Sequence, residues 1–244
     1  MASKTSELNL DLPPGFRAVG LREFGDAFAK ATMIADESGA GTLVWTRRFD
    51  LVELAVVLEP AEPLSSARRA FFAGMNAAAD ALAAHCPPEK PIIIAFPDTI
   101  LLDGGLIGGG RLAWPERAAE NEVPAWLVFG LMVRLMMPVG PASRDRTSLE
   151  AEGFEVLEAR DLIGSFARHL MVHFETWREK GFQPVGADYM ARLSSEKGAR
   201  RGIDGNGDLL VHRAGRSSKA ERLELVPALT ICGWLDPETR EPWI

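Results

Sequence analysis

Two histidines of this 244-residue chain stand at a spacing that could support metal chemistry. His169 and His173 are four residues apart, so a helix would place both imidazoles on one face, as zinc ligands require. The zinc-protease pattern also needs a glutamate directly after the first histidine, and Leu170 stands there instead. A partly exposed helix face without a metal is therefore the favoured interpretation.

Asp204, Asn206 and Asp208 imitate the first ligands of a calcium-binding loop. That loop needs a glycine at its sixth position and a bidentate carboxylate at its twelfth, where this sequence has Leu209 and Gly215. A tight hairpin turn explains these residues better, and no metal site is predicted.

The two cysteines bear on both chemistry and compartment. Cys86 follows His85, and a neighbouring imidazole can lower the pKa of a thiol and create a nucleophile. An isolated pair of this kind in a loop is usually accidental, and Cys232 lies in an apolar stretch that predicts a core position. So few cysteines favour a reducing, cytoplasmic setting.

The most unusual local feature is the run from Gly104 to Gly110, which reads GGLIGGG. It matches neither the dinucleotide-binding fingerprint nor the phosphate-binding loop with its lysine. One interpretation is a tight turn followed by a closely packed strand. The other is a place where the backbone approaches a ligand. Spacing alone does not choose between them.

Composition limits the class of protein and its partners. The chain is 47% hydrophobic and 25% charged, which is typical of a globular protein with a sizeable core. Its net charge of −7 gives no long-range attraction to nucleic acid or anionic lipid, so neither is expected as a partner. The residues after Lys4 lack the apolar run of a signal peptide. The longest apolar stretch, Ala125 to Met137, contains Arg134 and is too short to span a bilayer.

Hydrophobic periodicity predicts the elements that position these residues. Residues 1–20 are proline-rich and expected to be extended, and Leu21 to Glu37 is expected to be a helix. Further helices are predicted at 65–84, at 161–179 and after Val185. Asp103-Gly104-Gly105 predicts a hairpin turn. Strands are predicted at 42–45, 51–58, 91–96, 100–102, 106–107 and 126–135.

The last fifty residues change in character. The turn at 204–207 is flanked by short apolar runs, which predict a hairpin, and 223–225 and 229–232 are predicted to add short strands. The terminal Pro242-Trp243 is expected to dock back on the body. These features divide the chain into a main domain of residues 1–194 and a small β domain of residues 195–244.

The segment from Phe96 to Gly109, FPDTILLDGGLIGG, resembles the Lys-Trp-Pro-Asn-Asp…Lys-x-x-Gly signature of biotin protein ligases. Leu51 to Pro60 is similar to the family strand that ends in Leu-x-Pro, and Trp126 to Leu131 to its later glycine-rich strand. His173 to Phe182 resembles its last helix, and Gly202 to Val211 its C-terminal SH3-like hairpin. The chain is thus identified as a member of the biotin/lipoate protein ligase family over most of its length.

The resemblance implies an α+β fold. It consists of a mixed, mainly antiparallel sheet with flanking helices, akin to class II aminoacyl-tRNA synthetases, plus a reduced SH3-like β unit. The family joins a carboxylic acid to ATP and passes the acyl group to a lysine of a carrier domain. Retained activity would therefore imply ATP and biotin or lipoate as ligands and a biotinyl or lipoyl carrier domain as partner. A homodimer is a further expectation.

This sequence departs from the family where the activating groups should stand. That reaction brings two anions together, so cationic side chains and backbone N–H groups are needed. The family's arginine-rich loop between the early strands is missing, the signature's asparagine is matched by Asp98, and its catalytic lysine by Leu106. No lysine occurs between Lys90 and Lys180. Lost charge-assisted contacts of about 1.5–3 kcal/mol each predict a degenerate site.

Three functions remain open. They are an acyl-protein ligase or transferase with relocated cations, a non-catalytic relative that binds the ligand or the carrier domain, and a homodimer built on a sheet edge. The lysine argument favours the second. If a pocket is present, arginines should line its mouth and glycines its floor. The predicted ligand-binding residues are Arg47, Arg48, Phe96, Asp98, Gly108, Gly109 and Arg111.

Overall fold

The computed structural model describes residues 10–138, 145–154, 158–213 and 220–243. Its centre is a seven-stranded sheet in the order β1-β2-β3-β7-β6-β5-β4. β1 and β2 pair in parallel, and all other neighbours pair antiparallel, which confirms the predicted α+β class with a mixed, mainly antiparallel sheet. The strands are β1 (Arg17–Leu21), β2 (Thr42–Thr46), β3 (Leu51–Leu58), β4 (Ile92–Ala95), β5 (Thr99–Leu102), β6 (Gly105–Ala113) and β7 (Leu127–Arg134).

Helices cover both faces of this sheet. α1 packs on β2, β3 and β7, while α3 and α4 pack against each other and against the opposite face. The helices are α1 (Ala27–Ser38), α2 (Leu64–Ala67), α3 (Ala70–Ala83), α4 (Ala159–Lys180), α5 (Phe182–Arg192) and α6 (Leu225–Ile231). The predicted helix over 65–84 is therefore interrupted by two residues, and the one expected after Val185 begins earlier.

Strand alternation assigns each side chain of β3 to one face, because successive residues of a strand point to opposite sides. Ala55 and Val57 pack in the cluster that contains α1. Val52, Leu54 and Val56 pack in the cluster that contains α3 and α4. We call these two sides the α1 face and the α4 face.

A second sheet follows α5, with strands β8 (Ala199–Ile203), β9 (Leu209–Arg213) and β10 (Glu221–Leu223) in the order β10-β9-β8. The predicted hairpin is confirmed. One carboxylate oxygen of Asp204 accepts the backbone N–H groups of Asn206 and Asp208, at 2.9 and 3.0 Å. Asp208 in turn pairs with Arg222 and accepts the N–H of Leu225. These carboxylates therefore stabilise a turn; Gly215, part of the calcium comparison, lies outside the described residues.

The predicted helix from Leu21 to Glu37 is wrong at its start. Arg17–Leu21 is β1, paired with β2, and the helix begins only at Ala27. Asp26 caps it by accepting the N–H of Ala29 at 2.8 Å. The hydrogen bonds that β1 makes with β2 outweigh the helical spacing of its apolar residues, and β2 lies outside the segment from which the helix was predicted.

The predicted strand at 229–232 is also wrong. Leu225–Ile231 forms α6, and Leu225 and Leu229, four residues apart, are its buried side chains. Pro227 stands in the first turn of this helix, where a missing N–H costs little. Cys232 ends the helix in a left-handed conformation with φ of 42°, so it is not a strand residue.

Candidate functional site

The glycines of β6 let other groups approach the middle of the sheet. A Cβ added at Gly108 would lie 2.0 Å from the carbonyl oxygen of Met132 on the neighbouring strand β7. One added at Gly110 would lie 2.5 Å from the sulfur of Met75, on the α4 face. Real Cβ atoms do not approach so closely, so close packing of strands and helix requires both glycines.

Gly109 faces the α1 side, and an indole ring lies directly on it. A Cβ there would meet the carbonyl oxygen of Asp98 at 2.4 Å and the indole nitrogen of Trp234 at 2.5 Å. Trp234 is fully buried and forms a cluster with Leu51 and Met132. The predicted floor of a ligand pocket is therefore covered by a side chain of the chain's own C-terminal segment, which we define as Cys232–Trp243.

Ion pairs hold the C-terminal segment in place. Glu241 pairs with Arg48 and, at 3.4 Å, with Arg134. Arg134, only 1% exposed, also donates to the carbonyl oxygen of Pro242 at 2.8 Å. Arg240 pairs with Asp26 at the start of α1. The segment is thus bound by charged groups from β7, from the β2–β3 connection and from α1.

The predicted ligand-binding arginines Arg47 and Arg48 both have partners within the chain. Arg48 is held between Asp50 and Glu241, and these carboxylates hold the pKa of its guanidinium well above its usual value. Arg47 is exposed, and its Nε donates to the carbonyl oxygen of Leu21 at 3.1 Å. The two arginines thus have different partners in the structure.

Arg111 lies on β6 at the edge of α1, with its guanidinium 4.4 Å from the centre of the Phe28 ring. Burial lowers its pKa, and the nearby carboxylates of Asp26 and Glu53 act in the opposite direction. Carboxyl groups of the chain itself therefore already lie near this guanidinium.

Glu53 occupies the N-terminal end of α1, a position that attracts anions because free N–H groups point outward there. Its carboxylate is buried and accepts the N–H of Ala27 at 2.8 Å and the hydroxyl of Thr46 at 3.2 Å. Burial raises the pKa of Glu53. An internal carboxylate thus takes the place that a ligand anion could have used.

Asp98 stands where the sheet approaches Trp234, whereas Phe96 packs on the other face. Asp98 is 3% exposed, and burial raises the pKa of its carboxyl to about 6. One of its oxygens accepts the hydroxyl of Thr99 at 3.1 Å, and the indole N–H of Trp234 moderates the rise without reaching hydrogen-bond geometry. Phe96 is half-buried against the core of the α4 face, so it does not line the space beside Gly109.

Several buried polar atoms between the C-terminal segment and the sheet make no hydrogen bond. They are Oδ2 of Asp98, Nε1 of Trp234, and Nε and Nη1 of Arg134. Buried polar atoms are nearly always paired, so a cluster of unpaired ones needs an explanation. The contact between the segment and the sheet therefore contains more hydrogen-bonding groups than it pairs.

Sequence reasoning missed three of these residues: Glu53, Arg134 and Trp234. Glu53 and Arg134 carried a signal, since each is a charge within an otherwise apolar strand. Trp234 carried none, because its contacts with Gly109 join positions far apart in the sequence. The expected docking of Pro242 and Trp243 on the body is confirmed: Arg134 of β7 donates to the carbonyl oxygen of Pro242 at 2.8 Å, and the guanidinium of Arg146 lies 5.6 Å from the centre of the Trp243 ring.

The other predicted features do not form a second reactive centre. His173 is buried and hydrogen-bonded to Asp80 at 2.7 Å, so the expected exposed face is wrong for this residue. The thiol of Cys86 donates to the carbonyl oxygen of Lys90, and burial raises its pKa. The described part of the chain contains no group of three side chains suited to a metal ion. Within the same residues, no helix is long and apolar enough to cross a membrane.

Comparison with known proteins gives one family. The model of the biotin/lipoate A/B protein ligase family matches residues 12–191, which include the seven-stranded sheet and helices α1 to α4. No curated protein matches the chain.

Several solved structures share the fold. A biotin protein ligase-like protein of unknown function from Silicibacter sp. TM1040 is 24% identical, with a TM-score of 0.77 over 90% of this chain and 99% of that one. Biotin protein ligase from Aquifex aeolicus without ligand is 14% identical, with a TM-score of 0.66 over 87% and 97%. The Leishmania major enzyme with biotinyl-5-AMP is 14% identical, with a TM-score of 0.53 over 87% and 99%.

Proposed function

Because this chain belongs to the biotin/lipoate A/B protein ligase family, we propose that it is a non-catalytic member that recognises a biotinyl or lipoyl carrier domain. In this proposal the chain does not activate a carboxylic acid with ATP. The observation that carries it is the indole of Trp234, which lies on Gly109 where the family signature would place a ligand.

The charges around that indole argue against acid activation. Joining a carboxylate to ATP brings two anions together and needs cations to stabilise them. Two arginines that hold the C-terminal segment, Arg48 and Arg134, are already paired with Glu241. Leu106 stands at the position of the family lysine, and Asp98 adds a carboxyl group. The residues present therefore do not fit ATP together with an acid while the segment is in place.

A carrier domain remains a suitable partner because its recognition does not require the buried floor. The family reaction ends on a lysine of a folded carrier domain, so a member of the family must present an outer surface to a protein. β1 lies at one edge of the sheet, and most of its side chains are exposed or half-buried. Filling the floor with Trp234 leaves that outer surface unchanged.

A second candidate function follows from the unpaired polar atoms of Asp98, Trp234 and Arg134. Glu241 stands on Arg48 and Arg134 as an anionic ligand would, and the indole covers the floor as an apolar ring would. The C-terminal segment would then be a displaceable internal ligand, and the chain a ligase or acyl-binding protein that opens when the segment leaves.

Two measurements on the full chain test the first candidate. Pyrophosphate release from ATP is followed with biotin, lipoate or octanoate, and retention is measured on immobilised biotinyl and lipoyl domains. We expect no release above a blank without protein, and retention of at least one carrier domain. Release with any acid contradicts the loss of activation, and no retention on either domain contradicts carrier recognition.

The variant Trp234→Ala separates the two candidates, because it empties the floor. Under the first, it still fails to bind biotin, lipoate or octanoate in a thermal-shift assay. Under the second, at least one acid stabilises it, and adding Arg48→Ala weakens that effect by removing a cation. Ile231→Ala, at a side chain that is 77% exposed, is the matched control in both cases.

A further inference from the structure

A cavity lies on the α4 face of the sheet, away from Trp234. Its volume is about 650 Å³, within the range of roughly 300–1,000 Å³ that small-molecule sites occupy. The ends of β3 and β7 and the helix α4 form its apolar walls. Among the residues that line it are Val56, Leu58, Leu127, Leu170, Phe174 and Trp177.

The aromatic wall of this cavity is held in place by its neighbours. The rings of Phe174 and Trp177 stack with centroids 6.4 Å apart, and Trp177 meets Phe182 edge-on at 5.1 Å. The guanidinium of Arg69 lies 5.5 Å from the centre of the Trp177 ring. Because the ring is fixed before any ligand arrives, binding costs little additional ordering.

The polar groups of the lining are mostly acidic. Three carboxylates, Glu59, Glu62 and Glu175, face a single guanidinium, Arg178. Arg178 is already paired with Glu175 at 3.0 Å, and Glu62 is paired with Arg69 at 2.8 Å.

Glu59 is left without a cation. One of its oxygens accepts the N–H of Ala40 at 3.1 Å, and among the described residues no cationic side chain lies within ion-pair distance of it. Glu59 is exposed at the rim of the cavity, so water screens its charge, and its attraction for an opposite charge on a bound apolar molecule amounts to a few-fold effect on binding.

We propose that this cavity binds an apolar amine, a molecule with an aliphatic chain or ring that carries one positively charged nitrogen. The chain would fill the space between Val56, Leu170 and Phe174. The ammonium group would meet Glu59 at the rim of the cavity. This site is separate from the surface that Trp234 covers, because the two lie on opposite faces of the sheet.

Three probes of one chain length separate the chemical classes: octylammonium, octanol and octanoate. Their binding to the full-length protein is measured by isothermal titration calorimetry at neutral pH. We expect octylammonium to bind about tenfold or more tightly than octanoate, because only the charge differs in sign. Equal or tighter binding of octanoate or octanol overturns the proposal, as does no binding of octylammonium at millimolar concentration.

Charge-neutralising variants locate the site. Glu59→Gln should weaken octylammonium about three- to fivefold and leave octanol unchanged, and Glu175→Gln on α4 provides a second variant with the same expected direction. Glu238→Gln, at an exposed position in the C-terminal segment, is the matched control. Equal weakening by Glu238→Gln, or none by both cavity variants, overturns the assignment.

The chain's own first residues are the alternative occupant, because Pro14 and Phe16 belong to the lining. A variant without residues 1–9 tests this. Octylammonium binding of equal strength with and without these residues supports the proposal. Binding that appears only after the deletion overturns it, since the natural occupant would then be the N-terminus itself.

Discussion

The two faces of the central sheet differ in whether the space next to the strands is filled by side chains. On the α1 face, the strand positions around Gly109 are filled by the indole of Trp234, and buried charges hold the covering segment. On the α4 face, a cavity of about 650 Å³ stays between the sheet and α4, with apolar walls and acidic groups. One sheet can therefore be closely covered on one side and border a cavity on the other.

The difference arises from which residues set the distance between layers. Glycine at position 109 removes the side chain that would separate the strand from its cover, so a ring can lie directly on the backbone. On the α4 face, Leu58, Leu127 and Phe174 line the cavity at one end of the sheet. Close packing favours stability, whereas the cavity leaves room for a ligand.

Trp234→Ala should have the largest effect on the filled face. Removing a fully buried indole loses apolar burial and leaves a cavity, so we expect the free energy of unfolding to fall by about 3–5 kcal/mol. Urea unfolding followed by circular dichroism measures it. Ile231→Ala, at an exposed side chain in the adjoining helix, should change it by less than about 0.5 kcal/mol. A loss below that of a surface variant would mean that the segment does not cover Gly109 in solution.

Asp98→Asn tests the electrostatic side of the filled face. Burial raises the pKa of Asp98 to about 6, so the folded state binds this proton more tightly than the unfolded chain does. The ionised carboxyl therefore destabilises the fold above about pH 6, and the penalty disappears as the pH falls from about 6 to about 4. We expect the asparagine variant to be more stable than the native chain by roughly 2–3 kcal/mol at neutral pH.

The measurement is the difference in unfolding free energy between the two proteins across that pH range, because a difference cancels the effects of all other titrating groups. The difference should shrink towards zero near the acidic end. Asp36→Asn provides the control, since water solvates this exposed carboxylate in both the folded and unfolded chains. A pH-independent difference for Asp98→Asn would show that the carboxyl is not desolvated.

How much of this contrast the sequence predicts depends on the range of the contacts. The strands β2 to β5 and β7 were predictable because each is a short apolar run bounded by turn residues. β6 was predicted only at 106–107, since the glycines at 108–110 interrupt the apolar run of a strand that extends from Gly105 to Ala113. β1 was not, because its parallel pairing with β2 comes from outside its own segment. The helix α6 was missed for a related reason: short apolar runs fit a strand or a helix equally well.

The candidate site was predictable only in part. The glycine run indicated that another group packs closely on the backbone of this strand. The sequence could not show that this group is the indole of Trp234. The pair between Arg48 and Glu241 spans nearly the whole chain, and no local pattern records it. The cavity on the α4 face is a gap between elements, so it depends on how helices pack and not on any motif.

The smallest effect is expected on the open face, from Phe174→Ala. This half-buried ring borders the cavity on one side, so its removal forfeits fewer contacts than the loss of an enclosed ring. We expect a loss of about 1–2 kcal/mol in unfolding free energy. Phe166→Ala on the same helix is the matched comparison, since that ring is fully buried and stacks on Phe129 at 5.8 Å. It should lose about 3–5 kcal/mol in the same urea titration. Equal losses at the two positions would mean that the cavity collapses or is filled in solution, and the contrast between the two faces would then fail.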